Sequence, residues 1–223
     1  MNYAAVLFDL DGTFADTARD LAFALNELLV AQGRSPMTFE DIRPYVSKGT
    51  PGMLGIGFQV TPADKEFEPL KQRFLAIYQR AVCRHTVLFD GIEKLITDLE
   101  SAGIPWGIIT NKPDFLTQPL IKALELDERA AVVYSGDTFS EKKPHPLPLL
   151  EAAKTLNVDA LNCVYVGDDE RDMMAAKAAG MKAVAALWGY IPPQEDPQSW
   201  PADSWVENSE QLQEALTQLS HTD

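Results

Sequence analysis

Asp9 and Asp11, one residue apart in Asp9-Leu10-Asp11-Gly12-Thr13, close the apolar run Ala4-Ala5-Val6-Leu7-Phe8. That run is too short for an ordinary helix and reads as a buried strand. Side chains alternate along a strand, so the two carboxylates are expected on one side and Leu10 on the other. Gly12 then permits a sharp turn. Like charges held this close resist joint ionisation. A bound cation, or a division of chemical labour between the two acids, would justify the arrangement. Three more polar clusters have side chains fit for chemistry: Thr110-Asn111, Lys142-Lys143-Pro144 and Gly167-Asp168-Asp169-Glu170-Arg171-Asp172.

Several of these clusters end apolar runs. Ile104 to Ile109 stops at Thr110, Cys163 to Gly167 stops at Asp168, and Lys182 to Leu187 and Ala131 to Ser135 complete the set of expected strands. Helical spacing lies between them: Ile92, Leu95, Ile96 and Leu99; Leu116, Leu120, Ile121 and Leu124; Leu149, Leu150, Ala153 and Leu156. Strands alternating with helices predict a parallel sheet covered on both faces. Ligands bind such sheets at the strands' carboxyl ends, where the polar clusters converge.

One stretch breaks the alternation. After Thr13 the next core strand arrives only at Ile104, whereas strand-to-helix loops usually take about 2–6 residues. The interval is helical in pattern, with a capping-box signature at Thr17 and Asp20 before Leu21, Leu25, Leu28 and Leu29. A second stripe runs through Phe67, Leu70, Phe74, Ile77, Tyr78 and Ala81. Residues 16–88 therefore read as a helical lid inserted into an α/β core made of 1–15 and 89–223, with hinges at Asp16-Thr17 and Val87-Leu88-Phe89. Pro192, Pro193, Pro197 and Pro201 mark Trp188 to Pro201 as an irregular surface loop, and Glu210 to Leu219 as the closing helix.

The chain has 223 residues and 46% hydrophobic content, the composition of a folded globular protein. Lys plus Arg total 19 against 33 Asp plus Glu, a net charge of −14 that disfavours nucleic acids and anionic membranes as partners. An anionic substrate would need a local positive site. Cys83 and Cys163 show no disulfide or metal spacing, as expected in a reducing cytoplasm. Met1-Asn2-Tyr3 lacks a basic region, and Asp9 interrupts the following apolar run, so neither a signal peptide nor a membrane span is expected. His85, His145 and His221 receive no catalytic role.

In order and in placement, the four polar clusters resemble the motifs of the haloacid dehalogenase superfamily of phosphatases. The resemblance covers nearly the whole chain, including a helical cap inserted after the first motif. It implies a Rossmannoid three-layer core and a phosphomonoester hydrolase. Asp9 would attack phosphorus to give an aspartyl-phosphate, and Asp11 would protonate the leaving oxygen and later activate water. Dehalogenating members lack that second acid. Thr110 and the Asn111 amide would hold the phosphoryl oxygens, and Lys143 would neutralise charge in the transition state. Five acids around one lysine call for a hard dication, Mg²⁺, bound by Asp9, the Asp11 carbonyl and Asp168. Asp172 and Asp169 would stand behind those ligands.

Specificity is left to the cap. Ser47-Lys48-Gly49-Thr50-Pro51-Gly52 reads as a donor-rich flexible loop between two helices, with Lys48 for a substrate carboxylate and the amides around Gly49 for hydroxyls. The expected partner is a small phosphorylated metabolite, either a carboxylate-bearing or a sugar phosphate. The phosphoglycolate phosphatase branch of the family, with its relatives in cell-wall recycling, is the nearest likeness. The chain would act as a monomer or homodimer. The alternatives are a phosphosugar mutase of the β-phosphoglucomutase type, which usually carries another residue where Thr13 stands, and a receiver-like phosphoryl acceptor. Receivers are about half this length and lack the insert.

Overall fold

Short apolar runs, buried on both faces, build one central sheet. The computed structural model describes residues 3–219, so His221 lies outside the described residues. β1 (Ala5–Phe8) leads into the Asp9 turn, followed by β2 (Ala15–Asp16). Next come α1 (Ala18–Ala31), α2 (Phe39–Ile42), a 3₁₀ segment Arg43–Lys48, α3 (Gly49–Phe58) and α4 (Phe67–Gln79). β3 (Val87–Leu88) pairs antiparallel with β2. The chain then alternates through α5 (Ile92–Ser101), β4 (Trp106–Ile109), α6 (Asp114–Ala123), β5 (Val132–Tyr134) and α7 (Leu147–Thr155). It ends through β6 (Cys163–Gly167), α8 (Glu170–Ala178), β7 (Lys182–Ala186), β8 (Ser204–Val206) and α9 (Ser209–Leu219).

The main sheet has the order β5-β4-β1-β6-β7-β8, with every pairing parallel. Strand alternation divides its side chains into two cores. Val6, Phe8, Val164 and Val184 meet the apolar stripes of α5, α6 and α9. Ala5, Leu7, Tyr165 and Ala183 meet α7 and α8. The result is the expected three-layer α/β architecture. A third core joins Leu25, Leu28, Leu54, Phe74 and Tyr78 among α1 to α4, attached to the sheet domain through the β2–β3 ribbon. No helix among the described residues is long and apolar enough to cross a membrane.

Four local expectations are corrected. Thr17 makes no cap bond to α1, because its hydroxyl donates instead to Asp11 Oδ1 at 2.5 Å. Asp20 likewise turns away from the helix start. Its buried carboxylate accepts from the backbone amides of His85 and Thr86 and from the Thr86 hydroxyl at 2.7 Å. It thereby fastens α1 to the returning strand. The segment from Ser47 to Gly52 is helical instead of a flexible loop, because Pro51 falls in the first turn of α3, where no amide donor is needed. Trp188 to Pro201 is irregular but not superficial, since Tyr190 and Trp200 are buried. Leu150 is exposed and plays no part in the α7 contact face.

Asp20 supports a stability prediction. Asp20→Ala removes a buried acceptor and leaves several donors unpaired, each costing about 1–3 kcal/mol. The urea midpoint should fall by an amount equivalent to roughly 3 kcal/mol. A midpoint unchanged from the parent would show that water satisfies those donors equally well.

Candidate active site

The carboxyl ends of β1, β4 and β6 converge as the sequence requires. Asp9 leaves β1 with its amide bonded to Val166 of the neighbouring strand. The chain turns at Gly12 with φ +85°, and a Cβ there would strike the Asp168 carboxylate, so only glycine fits. Lys143 is buried and projects its ammonium into the turn. It lies 2.7 Å from Asp9 Oδ1 and 2.7 Å from Asp172 Oδ1. It also donates to the Tyr165 hydroxyl at 2.7 Å, which in turn donates to the Ile109 carbonyl. Lys142, the neighbouring lysine, stays exposed on the cavity wall.

Asp168 is buried and accepts from the Thr13 hydroxyl at 3.0 Å, the Ser47 hydroxyl at 2.6 Å and the Tyr190 amide at 2.8 Å. Burial, then the charges of Asp9 and Asp172, push its carboxyl well above the usual range. Asp172 is also pushed up, to about 7, by burial and by Asp9 and Asp169, with Lys143 opposing. The Lys143 ammonium would be weakened by burial, but Asp172 and Asp9 outweigh that and raise it. Asp9, Asp168 and Asp172 each offer an oxygen within 4.8 Å of the other two.

The remaining acids have partners of their own. Asp169 caps α8 and shares a capping box with Asp172. It also pairs with Arg171 and with Lys48, both at 2.7 Å. Burial would raise the Asp169 carboxyl, yet these cations hold it down at about 2. Lys112 takes Asp11, at 2.8 Å and 3.1 Å from its two oxygens, and lies 4.6 Å from the centre of the Tyr78 ring of α4. The count of one lysine against five acids is therefore revised, because four cations, Lys143, Lys112, Lys48 and Arg171, pair with those acids. Among the described residues Lys143 is the one cation ion-paired with the Asp9, Asp168 and Asp172 trio, so the three groups written as carboxylates with one ammonium make a formal −2. All the donors are hard oxygens, and their buried charge matches a dication such as Mg²⁺. The residues present fit that ion.

Thr110 and Asn111 sit on the cavity wall with Asp9 and Asp11. The Thr110 hydroxyl accepts from the Lys112 amide, and the Asn111 side chain donates to the Lys143 carbonyl at 2.8 Å, joining the second and third motifs. The cavity encloses about 300 Å³. Ser47, Lys48 and Gly49 line it from above, together with apolar Val46, Met53 and Phe74. Lys48, expected to be free for a substrate, is engaged by Asp169 and by Glu195 at 2.6 Å. Lys112, Arg171, Tyr165 and Tyr190 received no site role from the sequence. Lys112 carried a usable signal, a lysine two residues beyond the Thr110 strand end.

Comparison with known proteins agrees with this geometry. Residues 6–186 match the haloacid dehalogenase-like hydrolase family. A phosphoglycolate phosphatase of Xanthomonas campestris pv. campestris is 49% identical over 94% of this chain and 95% of its own. An N-acetylmuramic acid 6-phosphate phosphatase of Pseudomonas putida is 37% identical over 97% of each chain. The crystal structure of CbbY from Rhodobacter sphaeroides in complex with phosphate superposes with a TM-score of 0.75 at 25% identity, covering 94% of this chain and 96% of that one. The family match, spread over most of the chain and joined to the acid cluster at the ends of β1 and β6, means that this protein belongs to the haloacid dehalogenase-like hydrolases.

Proposed function

We propose that the protein is a Mg²⁺-dependent phosphomonoester hydrolase that works through a phosphorylated Asp9, with residues 16–88 acting as its substrate-selecting cap. The observation that carries this reading is Asp9 at the end of β1, ion-paired with Lys143 and followed two residues later by a second acid. Asp9 Oδ attacks phosphorus as the ester bond breaks. Asp11 gives a proton to the departing oxygen, then takes one from the water that cleaves the acyl phosphate. Lys143 stays fixed by Asp172 and Tyr165 while it neutralises charge gathering on the phosphoryl oxygens. Thr110 and the Asn111 amide orient the phosphoryl group. Lys112 and Thr17 hold the Asp11 carboxylate in place. Asp9, the Asp11 carbonyl and Asp168, with Asp172 behind them, would hold Mg²⁺, which when bound would supply Lewis-acid polarisation of the phosphoryl group.

For the substrate we infer a small phosphate ester bearing a carboxylate, with N-acetylmuramic acid 6-phosphate favoured over 2-phosphoglycolate. Both names occur among the relatives above. The apolar cap wall of Val46, Met53 and Phe74 supports the larger compound, because a two-carbon acid has almost no apolar surface to bury there. Lys48 and the amides near Gly49 are the proposed contacts, Lys48 sharing its charge with Asp169 and Glu195. In a cytoplasmic setting this activity would serve cell-wall recycling. Side-by-side kcat/KM values should place the amino-sugar acid at least ~10-fold above 2-phosphoglycolate, about 1.4 kcal/mol of differential transition-state binding. If both fall far below a hexose phosphate, the carboxylate assignment is wrong.

A further inference from the structure

Ser47 stands at the tip of the 3₁₀ segment Arg43–Lys48, yet its hydroxyl reaches across to the sheet domain. Its oxygen lies 2.6 Å from Asp168 Oδ2 and 3.4 Å from the Asp11 carbonyl oxygen. Those two residues are proposed metal ligands, one through its side chain and one through its backbone. Both contacts have the geometry of a donating hydroxyl, yet a hydroxyl has one hydrogen and can serve only one of the two oxygens fully. The Ser47 oxygen is thus wedged between a carboxylate and a carbonyl of the proposed ligand set, and one of the two acceptors is always under-served. Three hard oxygens gathered this way around one hydroxyl hydrogen suit a hard cation or its bound water.

Independent ties hold the segment in this position. Arg171 donates to the Ser47 carbonyl at 2.6 Å, and Lys48 bridges Asp169 and Glu195. Arg43 donates to the Trp188 and Gly189 carbonyls at 3.0 Å and 3.3 Å. Gly12 is the permissive element underneath: a Cβ there would come within 2.8 Å of the Ser47 oxygen.

We propose that Ser47 is the cap's own oxygen donor to the dication site, directly or through a metal-bound water. Loading of the core and docking of the cap then stabilise each other. The inference rests on the metal-dependent reading above. Coupling of this kind is reciprocal: if metal tightens the cap, the docked cap tightens metal by the same factor. A plain hydrogen bond to Asp168 couples cap and metal less. There the dication draws charge away from the carboxylate and weakens the Ser47 bond, which works against the gain from holding that ligand in orientation.

Mn²⁺ binding to metal-free full-length protein, followed by electron paramagnetic resonance of the free ion, reads this coupling. Ser47→Ala should weaken Mn²⁺ binding roughly tenfold, while Ser47→Thr, which keeps the hydroxyl, should stay near the parent. Hydrogen exchange in 43–58 should slow on adding Mg²⁺ to the parent and not to Ser47→Ala. Unchanged or tighter Mn²⁺ binding by Ser47→Ala, or faster exchange with Mg²⁺ in the parent, overturns the inference and leaves the phosphatase reading intact. A parent whose Mn²⁺ binding is indifferent to Asp168→Asn removes the metal site itself, and this inference with it.

Discussion

Asp9→Asn should lower phosphomonoester turnover by about 10⁴-fold or more, roughly 5 kcal/mol of barrier. The amide has nearly the shape of the carboxylate but lacks the negative charge that makes its oxygen nucleophilic toward phosphorus. The substitution also takes one of the two carboxylates from Lys143, while the salt bridge to Asp172 remains to hold that ammonium in place. The fold should therefore survive. Relief of like-charge crowding should leave the melting temperature of the metal-free variant equal to or above the parent's, because Asp9 is one of the charges that raise Asp168 and Asp172. A single-turnover assay checks the covalent step, with the parent but not the variant trapping radiolabelled phosphate on the protein. A variant retaining more than about 1% of the parent kcat would exclude Asp9 as nucleophile.

The second large effect follows from removing metal. Chelation should cost at least ~100-fold in activity, recovered with Mg²⁺, because the acid trio then lacks the dication that would polarise the phosphoryl group beside Asp9. It should also create a distinctive pH dependence of stability. In the metal-free protein the Asp168 and Asp172 carboxyls hold protons above the range where the unfolded chain has lost them, up to about 7 for Asp172. The folded state binds more protons across that interval, so its stability falls as pH rises. Asp169 works in the opposite sense, but its depressed value near 2 confines the effect to acid, below the usual carboxylate range. Raised Lys112 and Lys143 lose their contribution only in strong alkali, above the ordinary lysine value of 10.5. Between pH 5 and 8 the chelated protein should therefore drop by roughly 5 °C in Tm, whereas the Mg²⁺-loaded protein should stay nearly flat. A chelated Tm that rises over this interval would mean that the trio is ionised without a counter-cation.

Much of the site could be read along the chain, because its parts are short and local. A run of Ala4 to Phe8 must be a buried strand whatever surrounds it, and so Asp9 must lie at its end. The same logic applies to Thr110 after β4 and Asp168 after β6. Parallel strands then bring those ends to one edge without further instruction. The helical insert was visible because two long apolar stripes interrupted the strand–helix alternation. β8 passed unnoticed, since three residues, Ser204–Val206, carry too little periodicity to register.

What the order of residues determined by itself is the set of strands, their polar endings and the acids gathered there, since these depend on side-chain alternation and burial within a few neighbouring positions. Only the folded chain decided how the charges are partnered. Lys112 reaches Asp11 across 101 positions, Lys48 reaches Asp169 across 121, and Thr17 abandons its helix cap for Asp11. The physical reason is that an ion pair depends on distance in space, and only the fold sets which cation comes within reach of which carboxylate.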